Sequence, residues 1–75
     1  MKANIDNVSE IFSNRLKFLR SEKKLSQKQV ADKIGIPVST YANWEQGRRE
    51  PSIVDIYKLI SVLEIQPNEL FVDDI

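Results

Sequence analysis

The chain contains neither cysteine nor histidine. The first absence excludes disulfides and thiolate chemistry. The second removes the commonest general base, and together they leave no zinc site of ordinary type. Only two glycines are present, with no glycine-rich loop to cradle a phosphate. No apolar run approaches the ~18 residues of a membrane span. The opening MKANIDNVSE lacks the apolar stretch of a signal peptide. These absences lead us to expect a cytoplasmic protein that is not an enzyme and has no cofactor, metal, membrane or small-molecule partner.

The chain has 75 residues, 41% of them hydrophobic and 29% charged, which fits one domain near the lower size limit for a self-sufficient core. A formal net charge of zero hides a strong segregation. Residues 15–49 carry nine cations (Arg15, Lys17, Arg20, Lys23, Lys24, Lys28, Lys33, Arg48, Arg49) against Glu22, Asp32 and Glu45, a balance of +6. Residues 50–75 carry Lys58 against six carboxylates, a balance of −5. A basic first half and an acidic remainder hint at a nucleic-acid face, and ordinary solvated charge is the equal alternative.

Apolar residues at three- and four-residue steps (Val8, Ile11, Phe12, Leu16, Leu19) predict a first helix over about 8–22, with a capping box at Asn7 and Glu10. Ser26 and Gln29 repeat that box, and Leu25 and Val30 suit a hydrophobic staple across it. A second helix is therefore expected from Gln27 to Lys33, ended at Gly35. Pro37 fixes the backbone for a third helix over about 37–46, stopped by Gly47. Pro51 and Ser52 open a fourth, whose stripe is read as Ile53, Ile56, Tyr57, Ile60 and Leu63, with Leu59 at the edge. Pro67 opens a short last helix, PNELF. The core should span about 8–71, flanked by an arm at 1–7 and a tail at 72–75.

Helices 2 and 3 hold the chain's most informative stretch, 26–47. Val30, Ile34, Ile36, Tyr41 and Trp44 fall where two steeply crossing helices face each other. Ala31 is small where the two must approach. The remaining side of helix 3 carries Ser39, Asn43 and Gln46 on one stripe, bordered by Val38. Such short, uncharged, hydrogen-bonding groups suit base edges: Asn for adenine, Ser and Thr for several bases, Val for a thymine methyl. The layout is that of a helix-turn-helix.

The series RLKFLRSEKKLSQKQVADKIG, STYANWEQGRREPS and LEIQPNELF, with Ala31, Gly35, Trp44-Glu45, Gly47 and Pro51 at its spacing, resembles the lambda-repressor/Cro-like (XRE) helix-turn-helix family. The resemblance covers about three quarters of the chain. It implies an all-α, five-helix bundle in which helix 3 enters the major groove of double-stranded DNA, usually as a homodimer on a pseudo-palindromic operator. Carried over by position, base contacts fall on Val38, Ser39 and Asn43, with Thr40 at a base or phosphate position. Phosphate contacts fall on Gln27, assisted by Lys28, and on Arg48 and Arg49. Arg20 and Glu45 match a structural ion pair. Helix 3 departs from many relatives in opening with Pro37-Val38 rather than Gln or Arg, which favours contacts to A·T-containing sites. Trp44 and Tyr41 are expected in the core.

The functional expectation is a transcriptional regulator, most simply a repressor, associated with the nucleoid through DNA. Any dimer must use surfaces of this same bundle; Leu63, Ile65, Leu70, Phe71, Val72 and Ile75 are the candidates. The alternative is a protein-interaction module such as an antitoxin or adaptor built on the same fold.

Overall fold

A computed structural model describes residues 7–72. Four α-helices follow one another: α1 Val8–Glu22, α2 Gln27–Ile34, α3 Val38–Glu45 and α4 Ile53–Leu63. No strand occurs among the described residues. The expected fifth helix is a single 3₁₀ helix, Pro67–Phe71. Five residues starting at a proline are too few to settle into α geometry. The arm and tail expectations, apart from Asn7 and Val72, lie outside the described residues.

The core is one cluster. Phe12, Leu16 and Leu19 of α1 meet Val30, Ala31 and Ile34 of α2, Tyr41 and Trp44 of α3, Leu59 and Leu63 of α4, and Ile65 and Leu70 beyond. Tyr41 and Trp44 pack edge to face, with centroids 5.9 Å apart.

Three expectations need correction. Asn7 makes no side-chain bond to the first turn of α1, so the first capping box is absent; Val8 is correspondingly exposed. On α4 the buried face centres on Leu59 and Leu63, whereas Ile53 and Tyr57 stand 86% and 70% exposed. The buried face lies to one side of the expected stripe, because α4 is apolar on both sides of its axis and periodicity does not distinguish them. Leu63, Ile65 and Leu70 are core residues, so they are not available to a dimer contact. Phe71 is partly exposed but leans on Phe12, centroids 5.9 Å apart.

All four α-helices end the same way. The amide one residue past a left-handed position donates to a carbonyl five residues back: Leu25 to Arg20, Ile36 to Ala31, Arg48 to Asn43 and Ile65 to Ile60, at 3.0–3.3 Å. This is the Schellman closure. The left-handed positions are Lys24, Gly35, Gly47 and Glu64. In three cases the next residue is apolar and packs on the core: Leu25, Ile36 and Ile65. The fourth is Arg48, which is exposed.

Candidate nucleic-acid interface

The turn between α2 and α3 is built from local chemistry. Ser26 accepts from the Gln29 amide at 3.0 Å, and Gln29 Oε1 accepts from the Ser26 amide at 2.8 Å. The first turn of α2 thereby starts with Gln27 and Lys28. Gly35, at φ 78°, closes α2 where a side chain would be strained. Pro37 then enters α3 in extended conformation, and its carbonyl accepts from the Tyr41 amide at 3.2 Å.

One side of α3 is sealed. Tyr41, Trp44 and Glu45 are buried. The other side carries Val38, Ser39 and Gln46 exposed, with Thr40 and Asn43 half-buried. Thr40, Asn43 and Arg49 line one shallow depression with Glu50, Ser52 and Asp55. The residues expected to touch bases therefore share the outer side of one helix. Arg48 and Arg49 follow directly from its C-terminal end, both exposed. Because the Arg48 amide is bonded to the Asn43 carbonyl at 3.0 Å, its backbone position is fixed by the helix itself. Lys28, by contrast, is engaged in an exposed i,i+4 pair with Asp32 at 3.1 Å, an interaction worth only a few tenths of a kcal/mol. A phosphate could displace it readily.

Behind α3 lies a network centred on Glu45. Arg20 Nε donates to its Oε2 at 2.6 Å and Arg20 Nη2 to its Oε1 at 3.1 Å. The Tyr41 hydroxyl donates to Oε2 at 2.6 Å, and the Gln27 amide nitrogen to Oε1 at 2.9 Å. Arg20 Nη1 also donates to the Leu25 carbonyl at 2.7 Å. Burial pushes the Glu45 carboxyl up, but the hydrogen bonds from Arg20, Tyr41 and Gln27 outweigh it and hold the group below its usual range. The bond to Glu45 raises Arg20 further. Burial first, and then Glu45, push the Tyr41 hydroxyl well above its ordinary value. Among the described residues no buried side-chain polar atom lacks a partner.

Of the network, sequence reasoning supplied only Arg20 and Glu45. It placed Gln27 on phosphate, yet one hydrogen of the Gln27 amide already serves Glu45. The i,i+4 spacing of Tyr41 and Glu45 was the available signal for their bond. Nothing local signals the Gln27 contact, which depends on where α3 ends in space.

A sequence profile described as Helix-turn-helix matches residues 16–70. The chain belongs to this family, in its Cro/C1-type (XRE) branch. It is 41% identical over 63 residues to the control protein C.MunI of a Mycoplasma species, covering 83% of this chain and 85% of that one. It is 33% identical over 63 residues to the cryptic phage CTXphi transcriptional repressor RstR of Vibrio cholerae, covering 84% of this chain and 57% of the repressor. The chain spans about half the length of several other curated relatives. The crystal structure of the restriction-modification controller protein C.AhdI from Aeromonas hydrophila superposes with a TM-score of 0.78 at 41% identity, covering 91% of this chain and all of that one. No helix among the described residues is long and apolar enough to cross a membrane.

Proposed function

We propose that the protein is a sequence-specific double-stranded DNA-binding transcriptional regulator, acting as a cytoplasmic repressor. In this reading residues 1–75 form one domain, with its core at about 8–71, that reads the major groove with α3 and works as a homodimer on a pseudo-palindromic operator. Val38, Ser39, Thr40 and Asn43 contact bases. Gln27, Lys28, Arg48 and Arg49 contact phosphates, and Arg20 with Glu45 holds α3 in place.

The observation that carries this reading is the two-sidedness of α3. Its inner side is locked by Tyr41, Trp44 and Glu45, while its outer side presents small hydrogen-bonding groups with two exposed arginines at one end. Phosphate contacts supply sequence-independent affinity that falls steeply with salt. Base contacts add discrimination of roughly 1–3 kcal/mol each. One small bundle buries too little DNA for tight binding, so two copies on half-sites about 34 Å apart give the useful affinity. The identity to C.MunI and to the repressor RstR supports a regulatory role.

Selection of bound sequences from a random duplex pool at moderate salt tests the reading. Enrichment of an inverted repeat containing A·T pairs is expected. A pool that stays random after repeated rounds would refute sequence-specific binding.

A further inference from the structure

Arg49 stands beside two carboxylates and pairs with neither. The depression it borders is also lined by Glu50 and Asp55. Among the described residues the only ion pairs are Arg20 with Glu45 and Lys28 with Asp32. Both carboxylates are held by serines instead. Asp55 Oδ2 accepts from the Ser52 hydroxyl at 2.9 Å and from the Ser52 amide at 3.2 Å, within the cap of α4. Glu50 Oε2 accepts from the hydroxyl of Ser9, 41 positions back in the first turn of α1. The Asp55 arrangement follows from the cap alone. That of Glu50 needs the start of α1 to lie beside the loop that leaves α3.

Glu50 occupies a boundary. On one side it lines the depression with Arg49; on the other it lines an apolar cleft with Val8, Ser9, Phe12 and Phe71. Its exposed carboxylate therefore has a donor to choose on each side. A second serine fixes the geometry. Ser13, one turn along α1 and buried, donates to the Ser9 carbonyl at 2.8 Å and lies 3.5 Å from the Cβ position of Gly47. One face of α1 thus meets the loop at two points, Gly47 and Glu50, with Arg48 and Arg49 between them.

We propose that Ser9 is a positioning residue for DNA binding: by holding the Glu50 carboxylate toward α1, it keeps Arg49 unpaired for a backbone phosphate. The proposal rests on the DNA-binding reading above and adds to it a residue that acts through Glu50 without touching DNA. A hydroxyl that donates to an ionised carboxylate makes a charge-assisted bond. An exposed ion pair between Glu50 and Arg49 is weak in water. One hydroxyl is therefore enough to decide where the carboxylate lies, and its removal reverses the choice. Freed of Ser9, Glu50 turns to Arg49, and a phosphate then has to displace a group of its own charge. The effect falls on sequence-independent affinity and leaves base preference alone, because phosphate carries no sequence information.

Binding of the full chain to a random-sequence duplex over a salt series tests this, with Ser9→Ala, Ser9→Thr, Glu50→Gln and the double variant Ser9→Ala/Glu50→Gln. The Ser13 bond uses the Ser9 carbonyl, so it survives Ser9→Ala. Ser9→Ala should bind about twofold to fivefold more weakly per copy, with a shallower salt dependence. Ser9→Thr keeps the hydroxyl and should bind like the wild type. Glu50→Gln should bind at least as tightly as the wild type, and the double variant should match Glu50→Gln rather than Ser9→Ala. A loss that persists in the double variant overturns the proposal, because the serine then acts on the fold and not through Glu50. Equal binding by the wild type and Ser9→Ala overturns it as well. The free protein gives a second reading that needs no DNA. In nuclear magnetic resonance spectra the Arg49 Nε–H should exchange rapidly with solvent in the wild type and be protected in Ser9→Ala, where it meets Glu50. An Arg49 signal that the substitution leaves unchanged overturns the proposal even when DNA binds. A wild type that binds no duplex at low salt refutes the DNA-binding reading instead, and the Arg49 signal then decides on its own whether Ser9 holds Glu50.

Discussion

Gln27 and Glu45 are joined by a 2.9 Å hydrogen bond across 18 positions of sequence. One residue opens α2 and the other closes α3, so the bond ties the end of the helix proposed to face bases to the helix start proposed to meet phosphate. A backbone phosphate at Gln27 would therefore act on a side chain already oriented. Gln27→Leu keeps the size and removes the amide. It should weaken operator binding about tenfold, on the order of 1.4 kcal/mol, from the joint loss of a phosphate donor and of the link to Glu45. Fluorescence anisotropy with operator and nonspecific duplex checks it. Equal affinity of wild type and variant for operator would show that the amide does neither job.

Ser39→Ala and Asn43→Ala should each cost roughly 1–3 kcal/mol against the selected operator. Binding to unrelated duplex should hold. Competition assays with single base-pair substitutions read this directly. Loss that is uniform across all sequences would move these side chains from bases to phosphates.

Arg49→Ala should weaken binding to every duplex alike and lower the slope of log affinity against log salt by about one unit. Arg49 borders the depression that also holds Thr40 and Asn43, so a change of base preference is the informative contrary result.

The Glu45 carboxyl titrates below its ordinary value in the folded chain. The unfolded chain thus binds the proton more readily, and protonation favours unfolding. The stabilisation is complete above the ordinary glutamate value of about 4.3 and drains away as pH falls through the folded-state value. Thermal melts between neutral pH and about pH 3 should show the wild type losing stability more steeply than Glu45→Gln. At neutral pH Glu45→Ala, which strands Arg20 with a 14% exposed side chain, should cost about 3 kcal/mol. Parallel melting curves for wild type and Glu45→Gln would contradict this account.

Glu64 holds φ 54°, a left-handed position that glycine occupies without penalty. Glu64→Gly should stabilise by about 0.5–1 kcal/mol. Gly47→Ala should do the opposite by about 1 kcal/mol through backbone strain, since the nearest atom, Ser13 Oγ, is 3.5 Å from where the new methyl would sit. Urea denaturation separates the two signs.

Much of this was legible in the residues because the governing interactions are local. The Ser26–Gln29 box, the cap at Ser52, the turn at Gly35 and the stop at Gly47 each depend on atoms within a few positions. Tyr41 and Trp44 were readable as core from the helical period alone. Two things were not. Apolar residues all round the first turns of α4 cannot say which side docks, so Ile53 and Tyr57 were assigned inward and Leu59 to the edge. The amide of Gln27 finds a partner only once α1, α2 and α3 are assembled, and no spacing rule reaches that far. The outward side of α3 followed from the period, while the DNA contacts of Val38, Ser39, Thr40 and Asn43 await the measurements above.

Three helix ends turn an apolar residue into the protein, and the end of α3 turns Arg48 out. The cation is thereby mounted on α3 itself rather than on the scaffold around it. On the proposed reading, substituting Val38, Ser39 or Asn43 changes which bases are preferred and leaves the position of the Arg48 backbone untouched. The arrangement separates what is recognised from where the helix is seated, which would let a lineage of such chains acquire new target sites by exchanging a few outward letters.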